Sequence, residues 1–168
     1  MLKLMGLLLL FSSCTLFGAR KAAQLGERAE AAGRMIDFWR QFALQLECLR
    51  SAPSQLVHML SMQQEFEKDP FFEALDRSFD CGGSFKSALY KALRGVPQLK
   101  EWGIAQAILP LGDVIGVREL ETQLMSIASA VLSLEKIRCA AETEHQQKGS
   151  LYRKLGVLAG VLVVVILL

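Results

Sequence analysis

LGERAEAAGRMIDFWRQFALQLECLR, residues 25–50, is the stretch on which the fold turns. Leu25, Ala29, Ala32, Ile36, Trp39, Ala43 and Leu46 step by four and three residues, and Met35, Phe42 and Leu49 widen the stripe. That spacing sets the apolar side chains along one side of an α-helix. Gly26 and Gly33 weaken the helix by about 1 kcal/mol each relative to alanine, and Ser51-Ala52-Pro53 stops it. An apolar face this broad must be covered by other elements of the chain.

The covering elements also read as helices. Sustained apolar/polar alternation is missing and Val, Ile and Thr are scarce before the C-terminal tail, so no strand is expected. A second helix over Ser54 to about Glu65 buries Leu56, Val57, Leu60 and Met59. Asp69 is placed to cap a third, with Pro70 at the first helical position, where its missing N–H costs nothing. Phe71, Phe72, Leu75 and Phe79 form its inner face, and Cys81-Gly82-Gly83 breaks it. Ser84 caps a fourth, holding Phe85, Ala88, Leu89 and Leu93. Val96-Pro97 opens a fifth that turns Leu99, Trp102, Ile108 and Leu109 inward until Pro110 and Gly112 interrupt it. The sixth is the longest: Leu120, Leu124, Ile127, Val131 and Leu134 repeat the four-three step, with Ile137 and Ala141 beyond. Matching stripes on the first and last long helices predict antiparallel packing of the two.

Both chain ends are apolar. Leu4–Ala19 and Leu155–Leu168 are uncharged runs, with Arg20 and Lys21 after the first and Lys148, Arg153 and Lys154 before the second. As helices they span about 24 and about 21 Å at 1.5 Å per residue, short of a hydrocarbon core of about 30 Å. Leu2, Leu151 and Tyr152 extend them, and Lys3, Arg153 and Lys154 can snorkel toward the headgroups. Excess Lys and Arg on the inner flanks holds the intervening chain in the cytoplasm. The expected architecture is therefore all-α: a transmembrane helix over residues 1–19, a cytosolic six-helix bundle over 20–150 and a second transmembrane helix over 151–168. The first run also fits a secretory signal peptide, and Phe11-Ser12-Ser13-Cys14 weakly resembles a lipoprotein cleavage site.

Three of the 19 basic residues, Lys3, Arg153 and Lys154, lie outside residues 20–150, so 16 face all 17 acids there and the net charge is −1. A nucleic-acid binder normally carries a basic face with interleaved aromatics, so no nucleic-acid partner is expected. Cys14, Cys48, Cys81 and Cys139 lack CxxC or Cys/His metal spacing and read as small buried hydrophobes in a reducing compartment; their even count also fits two disulfides in an exported protein. His58 and His145 belong to no metal signature, and Cys81-Gly82-Gly83-Ser84 lacks the spacing of a phosphate loop. Glu65 with Glu67, Glu119 with Glu121 and Glu142 with Glu144 are two apart and lie on different helical faces. The sequence thus points to no enzyme activity, cofactor, metal or small-molecule substrate.

Met1-Leu2-Lys3-Leu4-Met5-Gly6, Thr15-Leu16-Phe17-Gly18 and the closing Leu151-Tyr152-Arg153-Lys154-Leu155-Gly156-Val157-Leu158-Ala159-Gly160 resemble the stage III sporulation protein AB family. Leu111-Gly112, Ile115-Gly116 and Gln123 resemble its LGxxxG…Q stretch at the start of the last long helix. The resemblance covers essentially the whole chain; Gly26, Gly33 and the run from Phe71 to Leu93 depart from it. It implies a component of the mother-cell-to-forespore channel complex, lying in the outer forespore membrane with its central domain in the mother-cell cytoplasm. It further implies a domain similar to the cytoplasmic domains of the type II secretion platform protein. The implied partners are a secretion-type ATPase, stage III sporulation protein AA, and other channel membrane subunits.

Two other classes remain open at this stage: a small membrane-anchored adaptor or chaperone-like module, and an exported lipoprotein acylated at Cys14. The partner surface is placed at Arg118, Glu119 and Glu121, a charged cluster that directly follows the Gly112–Gly116 break; a merely solvated helix start is the alternative. Gly156 and Gly160 form a small-xxx-small pair suited to transmembrane packing.

Overall fold

The computed structural model describes the backbone of residues 2–79 and 83–167 and the side chains of residues 26–79 and 83–147. Its elements are α1 (Leu2–Leu49), α2 (Pro53–Ser61), α3 (Pro70–Phe79), α4 (Phe85–Gly95), α5 (Pro97–Glu101), α6 (Ile104–Ile108), a 3-10 helix (Leu109–Asp113) and α7 (Leu120–Leu167). Among the described residues there is no strand. The chain forms two compact units, Met1–Glu30 with Arg138–Leu168, and Ala31–Ile137.

In the first unit, α1 and α7 run antiparallel. A Cβ added at Gly26 would stand 3.6 Å from His145 Cε1, and Arg28 lies 3.5 Å from Glu144. Arg138 reaches Glu142 one turn along α7 at 2.8 Å, and Ala141 is buried. The side chains of the two expected transmembrane segments, 1–19 and 151–168, lie outside the described residues, as does that of Cys14. Among the described residues no helix is long and apolar enough to cross a membrane.

The second unit holds the core. Ala31, Ala32, Gly33, Met35, Ile36, Phe38, Trp39, Phe42 and Leu46 of α1 are buried, so more than half of that helix's circumference is enclosed. Phe38 was outside the expected stripe, yet its ring stacks on Phe72 at 4.4 Å and meets Phe66 edge-on at 5.4 Å. Trp39 and Phe42 meet Phe85 at 6.3 and 6.2 Å. Such offset and edge-to-face pairs add about 0.5–1.5 kcal/mol each beyond their burial. Helix α7 closes the remaining side with Ile127, Ala130, Val131 and Leu134. Antiparallel pairing with α1 shows here too, in the Arg40–Glu135 ion pair and in a cavity lined by Leu46 and Arg50 with Leu120 and Gln123.

Local sequence sets the helix ends. Asp69 Oδ1 accepts from the Phe71 N–H at 3.0 Å, and its Oδ2 accepts from Arg34 Nε at 2.9 Å. One carboxylate therefore caps α3 and ties it to α1. Ser84 Oγ accepts from the Ser87 N–H at 3.3 Å, capping α4. Ala52, held at φ −59° and ψ 139°, is extended as a residue before proline must be.

Several expectations need correction. Gly103 takes φ +80°, so the anticipated fifth helix divides into α5 and α6, and Leu109–Asp113, which includes Pro110, forms the 3-10 helix. Six expected bundle helices thus become seven α-helices and one 3-10 helix among the described residues. Helix α2 ends at Ser61, and the turns that follow bury Phe66. Cys48 and Cys139 are exposed free thiols rather than buried hydrophobes, and Leu49 and Met59 are also exposed. The Nδ1 of His145 is buried with no hydrogen-bond partner, whereas a solvated ring was expected.

Replacing Phe38 by alanine removes a ring with no exposed surface and is expected to cost about 3–5 kcal/mol. Leu44→Ala, at a side chain 62% exposed, should change stability by less than about 0.5 kcal/mol. Denaturant unfolding of the two variants checks both; equal losses would mean that the aromatic cluster is not the core.

Candidate functional site

The stretch between the 3-10 helix and α7 is fixed by a close glycine approach, a left-handed glycine and a buried amide. A Cβ at Gly112 would lie 3.2 Å from the Lys86 Cα and 3.4 Å from its Cγ, so any larger residue would press the 3-10 helix and α4 apart by a few tenths of an ångström. The neighbouring Asp113 carboxylate accepts from Lys86 Nζ at 2.6 Å. That bond and the carboxylate charge, with a smaller contribution from Tyr90, raise the Lys86 ammonium above its ordinary value of 10.5. Turns at 114–117 follow, with Gly116 at φ +77°, a conformation that costs a side-chain-bearing residue about 1–2 kcal/mol.

Gln123, only 8% exposed, closes this loop. Its Oε1 accepts from the Gly116 N–H at 3.1 Å and its Nε2 donates to the Arg118 carbonyl at 2.6 Å. Gln123 also donates its backbone N–H to the Glu119 carbonyl at 3.0 Å. One buried amide side chain thus satisfies both a donor and an acceptor of the loop, which fixes where α7 begins.

Arg118, Glu119 and Glu121 are all exposed. The clasp holds the backbone of the first two through their carbonyls, and among the described residues no hydrogen bond or ion pair engages the three side chains. The structure thus presents them together at the start of α7. Beside them is a cavity of about 380 Å³ whose apolar wall includes Leu46, Pro53 and Leu120, with Gly116 and Gln123 on the loop side. Arg50 stands at its edge with φ +47°, a left-handed residue ending α1. The sequence reading missed Arg50 and the buried role of Gln123. The helix stop before Pro53 was a signal for the first; for the second, a glutamine seven residues after a glycine signals nothing by itself.

Other candidate chemistry is dispersed. His58 Nδ1 lies 3.0 Å from Asp76 Oδ2 on an exposed face, and no group of three or more His, Cys, Asp or Glu among the described residues is placed to hold a metal ion.

The geometry defines an all-helical protein in which two long antiparallel helices enclose an aromatic core and the last of them starts from a glycine–glutamine clasp. The family model of stage III sporulation protein AB matches residues 3–168, and the chain belongs to that family. Its function accordingly lies in stage III of sporulation. No curated protein and no solved structure matches the chain.

Gln123→Leu keeps the volume but leaves the Gly116 N–H and the Arg118 carbonyl unpaired, at an expected cost of about 1–3 kcal/mol. Hydrogen exchange at the Gly116 amide should accelerate more than the global loss of stability accounts for; parallel changes everywhere would show that no local clasp exists. The Lys86–Asp113 pair predicts a pH effect of definite sign. A raised folded-state value means that its contribution is fully present below pH 10.5 and is lost as pH rises through the raised value. The stability difference between the natural chain and Lys86→Met should therefore be constant at neutral pH and shrink in strong alkali.

Proposed function

We propose that this chain is a non-enzymatic membrane platform component of the mother-cell-to-forespore channel, coupling a cytosolic secretion-type ATPase to the channel's membrane subunits. The ATPase is stage III sporulation protein AA, and the central domain lies in the mother-cell cytoplasm beneath the outer forespore membrane. Family membership supports the sporulation setting. The observation that carries the platform reading is the pairing of Gly26 and Arg28 with His145 and Glu144. From that pairing both helices continue toward the chain ends, where the two apolar, cation-flanked runs lie. A bundle whose first and last helices both lead to apolar ends is suited to tethering at two points, and two tethers can transmit a push or rotation that one would dissipate as swinging. The exposed Arg118, Glu119 and Glu121 are placed on this reading at the ATPase contact.

Deleting residues 157–168 should leave the domain folded but abolish its assembly with the other channel subunits. Circular dichroism of the truncated chain and co-purification with co-expressed subunits measure the two separately. Normal assembly and normal spore formation by the truncated chain would refute the double-tether mechanism. Mass spectrometry showing an acylated Cys14 would instead establish the lipoprotein alternative.

A further inference from the structure

The near-neutral charge of the central region conceals a local imbalance. Between Ser84 and Gly112 the chain carries four cations, Lys86, Lys91, Arg94 and Lys100, against one acid, Glu101. Lys86 is neutralised by Asp113. Arg94 and Lys100 are exposed, and among the described residues neither makes an ion pair. Both line a single groove of about 390 Å³ formed by α4, α5, α6 and the 3-10 helix. Leu93, Pro97 and Leu109 contribute apolar lining, and Tyr90, 48% exposed, lines it as well. No acidic residue lines it.

We infer that this groove is a docking site for an acidic amphipathic helix of a partner protein, its apolar side chains seated between α4 and the 3-10 helix and its carboxylates on Arg94 and Lys100. Charge complementarity selects the occupant. Two unneutralised cations beside an apolar floor fit a segment in which leucine-like residues alternate with acids at helical spacing, the helix-in-groove mode of recognition. The concave shape favours such a segment over a bilayer surface, which is met by protruding apolar tips and a convex basic face. A cation pair left free at the rim speeds encounter with an acidic partner and rejects a basic one. The inference rests on the proposed function only in taking the domain to work by holding another protein; it places a contact on a face formed by α4–α6 in addition to the start of α7.

The test uses the full chain in neutral detergent micelles. The probe is a fluorescein-labelled helical peptide of about four turns with leucines at i, i+3 and i+7 and glutamates flanking them. Anisotropy should show saturable binding, reduced at least about tenfold by the double reversal Arg94→Glu with Lys100→Glu. A peptide carrying lysines in place of the glutamates should bind that variant better than the natural chain, and Gln106→Trp, at an exposed position of the groove lining, should weaken both. Circular dichroism and melting verify that the variants are folded. Absence of peptide binding, or binding that the reversal does not change, overturns the inference. So does a chain that ignores the peptide but binds phosphatidylglycerol-containing vesicles through Arg94 and Lys100, which would make the face a membrane contact. Peptide binding as expected, combined with normal assembly by the reversed variant, would leave the groove standing and show that channel assembly does not run through it; the platform reading fails separately, on normal assembly by the chain lacking residues 157–168.

Discussion

The enclosure of α1 is the constraint from which the rest of the second unit follows. Between Ala31 and Leu46 this helix buries positions on so much of its circumference that no single neighbour can cover it. Helices α2, α3 and α4 and the turn at Phe66 supply one set of covers, and α7 supplies another. The rings of Phe38, Trp39 and Phe42 meet partners from three of these elements: Phe66, Phe72 and Phe85. Because interiors are close-packed, each contact fixes the position of the element that makes it. The short helices are too short to be stable alone, so their form depends on this docking.

Part of that arrangement was legible because it rests on local chemistry. Asp69-Pro70 and Ser84 announced helix starts that the hydrogen bonds to Phe71 and Ser87 now account for, and the four-three step of Ile127, Val131 and Leu134 marked the inner face of α7. What escaped notice depended on distant partners. Phe38 lies beside the stripe, and only the arrival of Phe66 and Phe72 makes its position interior. Phe66, among Glu65, Glu67 and Lys68, has no periodic context at all. Gly103 lies within a plausible helix, and its left-handed φ is set by how α5 and α6 must each reach the core. Cys48 and Cys139 were misjudged because residue type predicts burial only on average.

The glycine–glutamine stretch shows how a motif of low information can encode a definite structure. Gly112 permits a close approach, Gly116 a left-handed turn, and Gln123 supplies a donor and an acceptor to hold the result. None of the three needs to touch a partner for its identity to be required. The charged residues between the second glycine and the glutamine are different, since their backbone is tied down while their side chains are left outside. A loop built this way holds its backbone in one arrangement while its charged side chains stay in solvent.

The same separation of roles runs through α4. Its inner side, Phe85, Ala88, Leu89 and Ala92, belongs to the core, while Lys86 binds the 3-10 helix through Asp113. Its remaining side carries Tyr90 and Arg94 toward the groove. Stability needs the first two sets, and nothing in the fold consumes the third. Placing an arginine and a lysine beside apolar surface without an acid to balance them costs the folded state repulsion that intermixed charges would avoid. A surface required only to be soluble would gain by interspersing an aspartate or glutamate there, as the chain does around Glu65, Glu67 and Lys68. The absence of such an acid from the lining is therefore best understood as room left for carboxylates that another chain brings.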